Sequence, residues 1–305
     1  MSSPANTRRQ RARLTHLLAP LRRAQYARRM AARLETEAPS RAHYEGDFVA
    51  WNGGCMFIGA GNGTVAPHAH YAIQLALGAP AGLAVQFGRR GSWQEVAAAL
   101  IPSRAVHAID VGRCAWSAVI FVEPETTEGR ALTAVLGAQP LVLGSQDLVV
   151  PLERLERAWR TEQSADGVRS LSIQLVEGLS RTARHEASDP RVLQAIDTMR
   201  RRGDESISLE ELAAAVKLSP SRFRHLFVQE TGMPLRTYAL WRRLLHVWER
   251  LMEGETLSRA AHAAGFADSA HLSRTSRTMF GVAPSVMKMA GPLSARQREP
   301  QRYFG

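Results

Sequence analysis

The chain has 305 residues, of which 45% are hydrophobic, 22% charged and 7% aromatic, the proportions of a globular protein with two domains. No apolar run approaches the ~18–20 residues of a membrane span, and two cysteines are too few for a disulfide framework, so both of those classes are excluded. The net charge of +11 favours an anionic partner. The sparse use of cysteine fits a reducing compartment, so we expect a cytoplasmic protein.

Residues 1–46 form a predicted basic N-terminal extension. The first 33 residues carry nine arginines and no acidic residue, and they lack the continuous apolar core of a secretory signal. Two interpretations remain open: a frayed extension upstream of a translation start at Met30, or an arm that contacts phosphate groups.

Short apolar runs separated by glycine-containing turns occupy residues 47–138. The runs at 55–58, 73–77 and 115–122 have the length of β-strands. Strands this short, with turns this frequent, predict a small antiparallel β-barrel.

A group of histidines falls within this predicted barrel. We expect the segment 67–77 to form one strand, which places His68, His70 and Gln74 on one of its faces. His107 follows later in the chain. Three imidazoles and an amide can hold a divalent metal, although an amide is a poorer ligand than a carboxylate. The alternative is that these groups line a ligand pocket or hydrogen-bond within the barrel.

Residues 139–186 are predicted to contain helices. The segments 151–161 and 168–183 show helical spacing of apolar residues. A linker at 187–190 separates them from a region that has helical spacing throughout.

The region 187–290 begins with a helix-turn-helix pattern. Ser208 and Glu211 form a predicted capping box at the start of one helix. The next predicted helix is Pro220–Thr231, which ends at Gly232. The second helix of such a pair can enter the major groove of DNA, where its N-terminal residues contact base edges.

The same pattern recurs, because Gly281 follows Gly232 by 49 residues. Asp268 is a predicted cap for the helix Ser269–Phe280, which ends at Gly281. Between the two copies lies the predicted helix Leu235–Met252, which spans roughly 27 Å. This length is close to the ~34 Å of one DNA turn, so one chain could place two recognition helices in successive major grooves.

Two segments closely resemble the DNA-binding domain of AraC/XylS family transcription regulators: SLEELAAAVKLSPSRFRHLFVQETGMP from residue 208 and GFADSAHLSRTSRTMFGVAP from residue 265. The resemblance covers about residues 190–290. It implies eight DNA-facing residues: Ser221, Arg222, Arg224, His225, Ser269, Ala270, Ser273 and Arg274. Ser276 stands where this family usually has a core aromatic residue, so we expect weaker packing of the second recognition helix.

The histidine pattern resembles the two cupin motifs, with Gln74 in place of the usual glutamate and Arg104 in place of the usual glycine. AraC-type regulators often carry an effector-binding barrel at this place in the chain. The resemblance therefore implies a small-molecule effector in the barrel, with His68, His70, Gln74 and His107 as the ligand-binding candidates. The same residues are the candidates for a divalent metal.

Together these features predict an α+β fold: an N-terminal cupin-like antiparallel β-barrel, then an all-α domain of two helix-turn-helix units joined by a long helix, and a tail at 291–305. The expected function is a sequence-specific DNA-binding transcription regulator, an activator more than a repressor, with no enzymatic activity. The expected partners are double-stranded DNA, a small-molecule effector, RNA polymerase and a second copy of the chain.

Three alternatives accompany this interpretation. The helices between 139 and 186 either form a dimer interface, as the family resemblance implies, or pack on the barrel of the same chain. The chain could also be a metal-dependent cupin enzyme fused to a DNA-binding domain. It could finally be an interaction scaffold whose helix-turn-helix units have lost DNA binding.

Overall fold

The structure, a computed structural model, describes four stretches of the chain: 43–144, 148–181, 185–202 and 207–289. The predicted C-terminal tail and nearly all of the predicted N-terminal extension lie outside these residues. The predicted α+β class is confirmed, because a sheet-rich N-terminal domain precedes a helical C-terminal domain. Within the described stretches, no helix combines the length and hydropathy that a membrane crossing requires.

Eleven strands are present in the described residues: β1 His43–Trp51, β2 Gly54–Asn62, β3 Thr64–His68, β4 Ile73–Ala79, β5 Leu83–Phe87, β6 Trp93–Val96, β7 Ala98–Ile101, β8 His107–Asp110, β9 Trp116–Val122, β10 Leu141–Leu143 and β11 Met287–Met289. They form a seven-stranded sheet, in the order β10-β7-β4-β9-β2-β1-β11, and a four-stranded sheet, in the order β3-β8-β5-β6. β11 pairs with β1 in parallel, and the other pairings are antiparallel.

Nine helices are present in the described residues: α1 Thr127–Leu136, α2 Val149–Glu156, α3 Ala165–Ser180, α4 Pro190–Arg202, α5 Leu209–Ala215, α6 Pro220–Thr231, α7 Leu235–Met252, α8 Leu257–Ala263 and α9 Ser269–Phe280. A π-helical turn at Arg157–Thr161 extends α2. The sequence did not predict α1, which follows the last barrel strand.

Side chains alternate between the two faces of the large sheet. On β9, Ala118 and Ile120 belong to the face that the middle helices cover, whereas Val119 and Phe121 belong to the face that meets the C-terminal domain. Because both faces are covered, β4 is buried along its whole length. The middle helices α1 to α3 therefore pack on the barrel of their own chain, through side chains such as Val176.

The single strand predicted over 67–77 is wrong. β3 ends at His68 in the small sheet, and β4 begins at Ile73 in the large sheet. His70 lies in the loop that crosses between the sheets. The chain leaves its strand direction here because Tyr71 packs against aromatic rings of the C-terminal helices, so the spacing of the histidines does not report a common strand face.

The helix ends of the C-terminal domain follow the predicted capping residues. The Ser208–Glu211 capping box is present, and Asp268 accepts a hydrogen bond from its helix start. α6 and α9 both end at a glycine with left-handed backbone. The turns differ, because left-handed Lys217 and Gly265 are 48 residues apart, whereas the glycines that end α6 and α9 are 49 apart. The second turn is thus one residue longer.

The barrel and the C-terminal helices share one hydrophobic core. Phe280, the last residue of α9, has its ring centroid 5.4 Å from that of Phe57 and 5.1 Å from that of Phe121, two barrel residues. Trp241 and Trp248 of α7 complete the cluster, at 4.9 and 6.2 Å from Phe280. Most of these rings meet edge to face, the geometry that aromatic quadrupoles favour. The cluster fixes the end of the second recognition helix against the barrel.

A buried carboxylate forms the polar part of the same interface. Glu123 follows β9 and is 1% exposed. Arg200 of α4 forms a salt bridge with it, while Tyr238 and Trp241 of α7 donate hydrogen bonds of 3.3 and 3.1 Å. A buried charge is tolerated only when it is paired in this way, so these groups fix the relative position of barrel and helices.

Glu125 lies next to this interface and is also buried. Tyr71 donates a hydrogen bond to one carboxyl oxygen, and the other oxygen has no partner among the described residues. Burial, together with the nearby charge of Glu123, raises the pKa of Glu125 from 4.5 to about 8.

This raised pKa predicts a pH dependence of stability. The folded protein keeps the proton of Glu125 up to about pH 8, whereas the unfolded chain releases it near pH 4.5, so unfolding releases a proton between these values. We expect the free energy of unfolding to fall as pH rises through this window, by on the order of 1 kcal/mol per pH unit.

The variant Glu125→Gln should lose this part of the pH dependence, as measured by urea unfolding at pH 5, 6, 7 and 8. Glu153→Gln, which changes an exposed carboxylate on α2, is the matched control and should keep it. Parallel pH profiles for wild type and Glu125→Gln would contradict the prediction.

Candidate DNA-binding surface and barrel pocket

The first recognition helix, α6, divides its side chains as its helical period requires. Phe223 and Phe227 are fully buried and hold the helix in the core. The four residues that the family resemblance implied as DNA-facing are all exposed: Ser221, Arg222, Arg224 and His225. They lie in the first two turns, where Ser219 caps the helix start.

The two arginines of this surface are available to an external partner. Within the described stretches, neither Arg222 nor Arg224 uses its side chain in a hydrogen bond or ion pair. The ring of His225 instead hydrogen-bonds its own helix, through Nδ1 and the carbonyl of Ser221 at 2.8 Å. Guanidinium groups at the exposed start of a helix suit both phosphate oxygens and the acceptor pair of guanine.

The second recognition helix, α9, presents less surface. Ala270 and Arg274 are exposed, whereas Ser269 and Ser273 are half-buried. The small side chains leave Arg274 as the main group on this surface. The C-terminal end of α9 is buried against the barrel, so its N-terminal half is the part that is open to a partner.

Ser276 of α9 is fully buried, at the position where the sequence suggested weak packing. Its hydroxyl donates a 2.7 Å hydrogen bond to the carbonyl of Val282, in the segment after the helix. This bond takes the place of aromatic packing and ties α9 to the chain that leads into β11.

Three imidazole rings meet inside the barrel. Ring centroids of His68, His70 and His107 are 4.4 to 5.5 Å apart, and ligand atoms from the three rings lie within 4.8 Å of one another. Pairing of β3 with β8 places two of the rings, because His68 lies opposite His107. The structure therefore brings the predicted histidines together, although not through one strand.

Each ring directs Nδ1 to a backbone carbonyl, at 2.8 to 2.9 Å. Burial and the nearby His68 lower the pKa of His70 to about 4, and burial and the neighbouring imidazoles lower that of His107 to about 2. Burial also lowers the pKa of His68. The rings are therefore neutral near pH 7, with the proton on Nδ1 and an electron pair on Nε2.

Gln74 on β4 joins this cluster. Its Oε1 lies 2.5 Å from Nε2 of His70 and 3.2 Å from Nε2 of His107. An amide oxygen does not bond to unprotonated nitrogens, but half a turn of the amide presents its NH2 group, which can donate one hydrogen bond to each. Nε2 of His68 has no hydrogen-bond partner within the described residues.

A pocket lies beside the histidines, with an empty volume of about 700 Å³ counted out to its solvent opening. Residues of the barrel form one wall, among them Val65, His68, Gln74, Val119 and Phe121. The other wall belongs to the C-terminal domain: Phe280, Val282, Val286 and Met287. The described lining is mainly apolar and includes no Lys or Arg, which suits a small apolar molecule.

The C-terminal wall of this pocket was not predicted. Its residues follow the second recognition helix and lie more than 150 residues from the barrel side chains that they face. No local pattern in the sequence reports a contact over such a distance.

Comparison with known families decides the nature of the C-terminal region. A family model described as "Helix-turn-helix domain" matches residues 212–289, which include both α6 and α9. Residues 212–289 are an AraC-type helix-turn-helix domain. The resemblance seen in the sequence is thereby confirmed for this part of the chain. A comparison with curated protein sequences gave no significant match.

Solved structures resemble the chain at two scales. A variant of apo ToxT from Vibrio cholerae matches 78% of this chain and 97% of its own, with 10% identity and a TM-score of 0.51, which shows a shared fold. An AraC-type transcriptional regulator from Chromobacterium violaceum has 25% identity and a TM-score of 0.30 over 36% of this chain and 95% of its own. The DNA-binding domain of AdpA, solved with a target DNA, has 24% identity and a TM-score of 0.28, over 36% and 97%.

The hydrogen bond of Ser276 predicts a measurable loss of stability in the AraC-type domain. Ser276→Ala leaves the buried carbonyl of Val282 without its partner, so we expect the free energy of unfolding to fall by about 1–3 kcal/mol. Thr278→Ala on the same helix removes an exposed hydroxyl that bonds the carbonyl of Arg274, and should change it by less than about 0.5 kcal/mol. Urea unfolding measures both variants, and equal small effects would refute the role of Ser276.

Proposed function

We propose that this protein is a sequence-specific DNA-binding transcription regulator that a small molecule controls through the barrel pocket. The observation that carries the proposal is an AraC-type domain in which both recognition helices expose their N-terminal halves. The mechanism involves no covalent chemistry. Binding energy comes from phosphate contacts and base contacts, and control comes from a change in how the second unit is held.

On the DNA side, the two helices have different roles. Arg222 and Arg224 each carry a guanidinium group that can bond both acceptors of a guanine edge, so α6 is the main base reader. Ala270 and Ser273 are too small to reach far into the groove, so α9 contributes phosphate contacts through Arg274 and its backbone. Phosphate contacts release counterions, and DNA affinity should therefore fall steeply as salt rises.

On the effector side, the pocket connects directly to the second unit. Phe280 and Val282, which follow from α9, form part of its wall. A ligand in the pocket therefore contacts the barrel and the end of a recognition helix at once. It shifts the population between DNA-competent and incompetent arrangements if it binds one of them more tightly.

The chemistry of the lining selects the ligand class. The walls are mainly apolar, the three histidines are neutral near pH 7, and the described lining has no basic side chain. A carboxylate would lose its hydration without gaining a cationic partner, which is costly. We therefore expect an apolar molecule with a neutral polar group.

Homodimerisation, contact with RNA polymerase and activation of transcription are further parts of the proposal. They rest on the family resemblance, together with exposed apolar side chains at the barrel edge and the middle helices, such as Val142 on β10 and Val150 on α2. The alternative, a metal-dependent enzyme fused to a DNA-binding domain, requires metal at the three histidines together with a substrate.

Arg224→Ala tests the DNA-binding mechanism. On sites selected from random DNA, we expect a loss of about 1–3 kcal/mol in specific binding and relaxed preference at one base position, with an unchanged salt slope. Arg154→Ala, which removes an exposed arginine from α2, is the charge-matched control and should bind as wild type does. Unchanged affinity and unchanged site preference would remove Arg224 from base recognition.

Val119→Phe tests the pocket. The larger side chain fills space in the wall, whereas Val135→Phe makes the same change at an exposed position on α1. We expect calorimetry to show that a neutral long-chain alcohol binds wild type and Val135→Phe, and binds Val119→Phe at least about 10-fold more weakly. The fatty acid of equal chain length should bind wild type more weakly than the alcohol. Equal binding by both variants would place the ligand elsewhere.

A further inference from the structure

We propose that His68, His70 and His107 form a binding site for a divalent transition-metal ion, and that this site acts on the second recognition helix through Gly281. The proposal has two parts. The metal site stands on the geometry of the histidines alone, whereas its effect on DNA rests on the proposed function.

The orientation of the rings supports metal binding. In metal sites, a histidine commonly donates the proton of its other ring nitrogen to a backbone carbonyl, which fixes the ring and leaves the ligand nitrogen with its electron pair. All three rings here have this second contact, to the carbonyls of Ala66, Ala72 and Ala105. Three separate backbone bonds thus present three Nε2 atoms as donors.

Hydrogen bonding within the protein does not account for all three donors. The NH2 group of Gln74 can satisfy the Nε2 atoms of His70 and His107, but it has only two N–H groups. Nε2 of His68 remains without a hydrogen-bond partner among the described residues. A cation satisfies all three electron pairs at once, and Gln74 could then turn its amide oxygen towards the ion.

The donor set selects the class of ion. Imidazole nitrogens suit Zn²⁺, Cu²⁺, Ni²⁺ and Fe²⁺, whereas Mg²⁺ and Ca²⁺ prefer oxygen ligands. Bonds of about 2.1 Å allow at most ~4.2 Å between two ligand nitrogens. The ligand atoms lie within 4.8 Å of one another, so a small inward movement of the rings brings them into range.

That movement reaches the DNA-binding domain through one close contact. Gly281 ends α9, and a Cβ atom added there would lie 2.6 Å from Cε1 of His68 and 2.5 Å from a methyl group of Val65. The imidazole of His68 therefore lies directly against the end of the second recognition helix. A ring that moves towards a metal changes the support of that helix end, and so changes DNA affinity.

Co²⁺ titration of the full chain, after treatment with a chelator, tests the metal site. We expect about one Co²⁺ per chain, with the visible absorption of nitrogen-ligated Co²⁺, and an affinity at least about 10-fold lower in His68→Gln. His262→Gln, which changes an exposed histidine on α8, should bind as wild type does. Thermal unfolding should show that both variants fold. Equal Co²⁺ affinity in wild type and His68→Gln, or no binding in wild type, would overturn the site.

DNA binding with and without Zn²⁺ tests the coupling. We expect Zn²⁺ to change the affinity of wild type and His262→Gln for a selected DNA site by several-fold, and to leave His68→Gln unaffected. A metal that binds without changing DNA affinity would overturn the coupling alone. Absence of specific DNA binding in both metal states would instead overturn the proposed function, so the two failures are distinguishable.

Discussion

The aromatic cluster around Phe280 is the contact on which the arrangement of this protein depends. It joins Phe57 and Phe121 of the barrel to Trp241 and Trp248 of the long helix, so the two domains have a common core instead of a linker-mediated contact. Burial of this much aromatic surface is favourable enough to hold the domains together. Because Phe280 ends a recognition helix and also lines the pocket, events in the pocket and at the DNA surface share one residue.

The two helix-turn-helix units are held by different chemistry. The first unit meets the barrel domain through charge, in the ion pair between Arg130 of α1 and Glu230 of α6. The second unit meets it through apolar packing at Phe280 and through the strand β11. Charged contacts weaken as salt rises, whereas apolar contacts do not, so the two units respond differently to the same solution conditions.

Local chemistry explains which features could be predicted. The bounds of α6, α7 and α9 match the sequence analysis because caps such as Ser219, and glycines such as Gly232, act on the residues next to them. The histidines did converge, but the route was wrong, because His68 and Gln74 come from different sheets. The C-terminal wall of the pocket, the Glu123 interface and the parallel pairing of β11 join segments distant in the chain, and no short-range pattern reports them.

The pairing of β11 with β1 also bears on how the chain folds. β1 begins at His43, and its neighbour on this edge begins at Met287. During synthesis, the edge of the large sheet stays incomplete until nearly the whole chain has left the ribosome. An incomplete sheet edge exposes backbone groups that can pair with other chains, and contacts this distant form slowly. Early termination after α9 would thus leave a nascent barrel with an open edge and a tendency to aggregate.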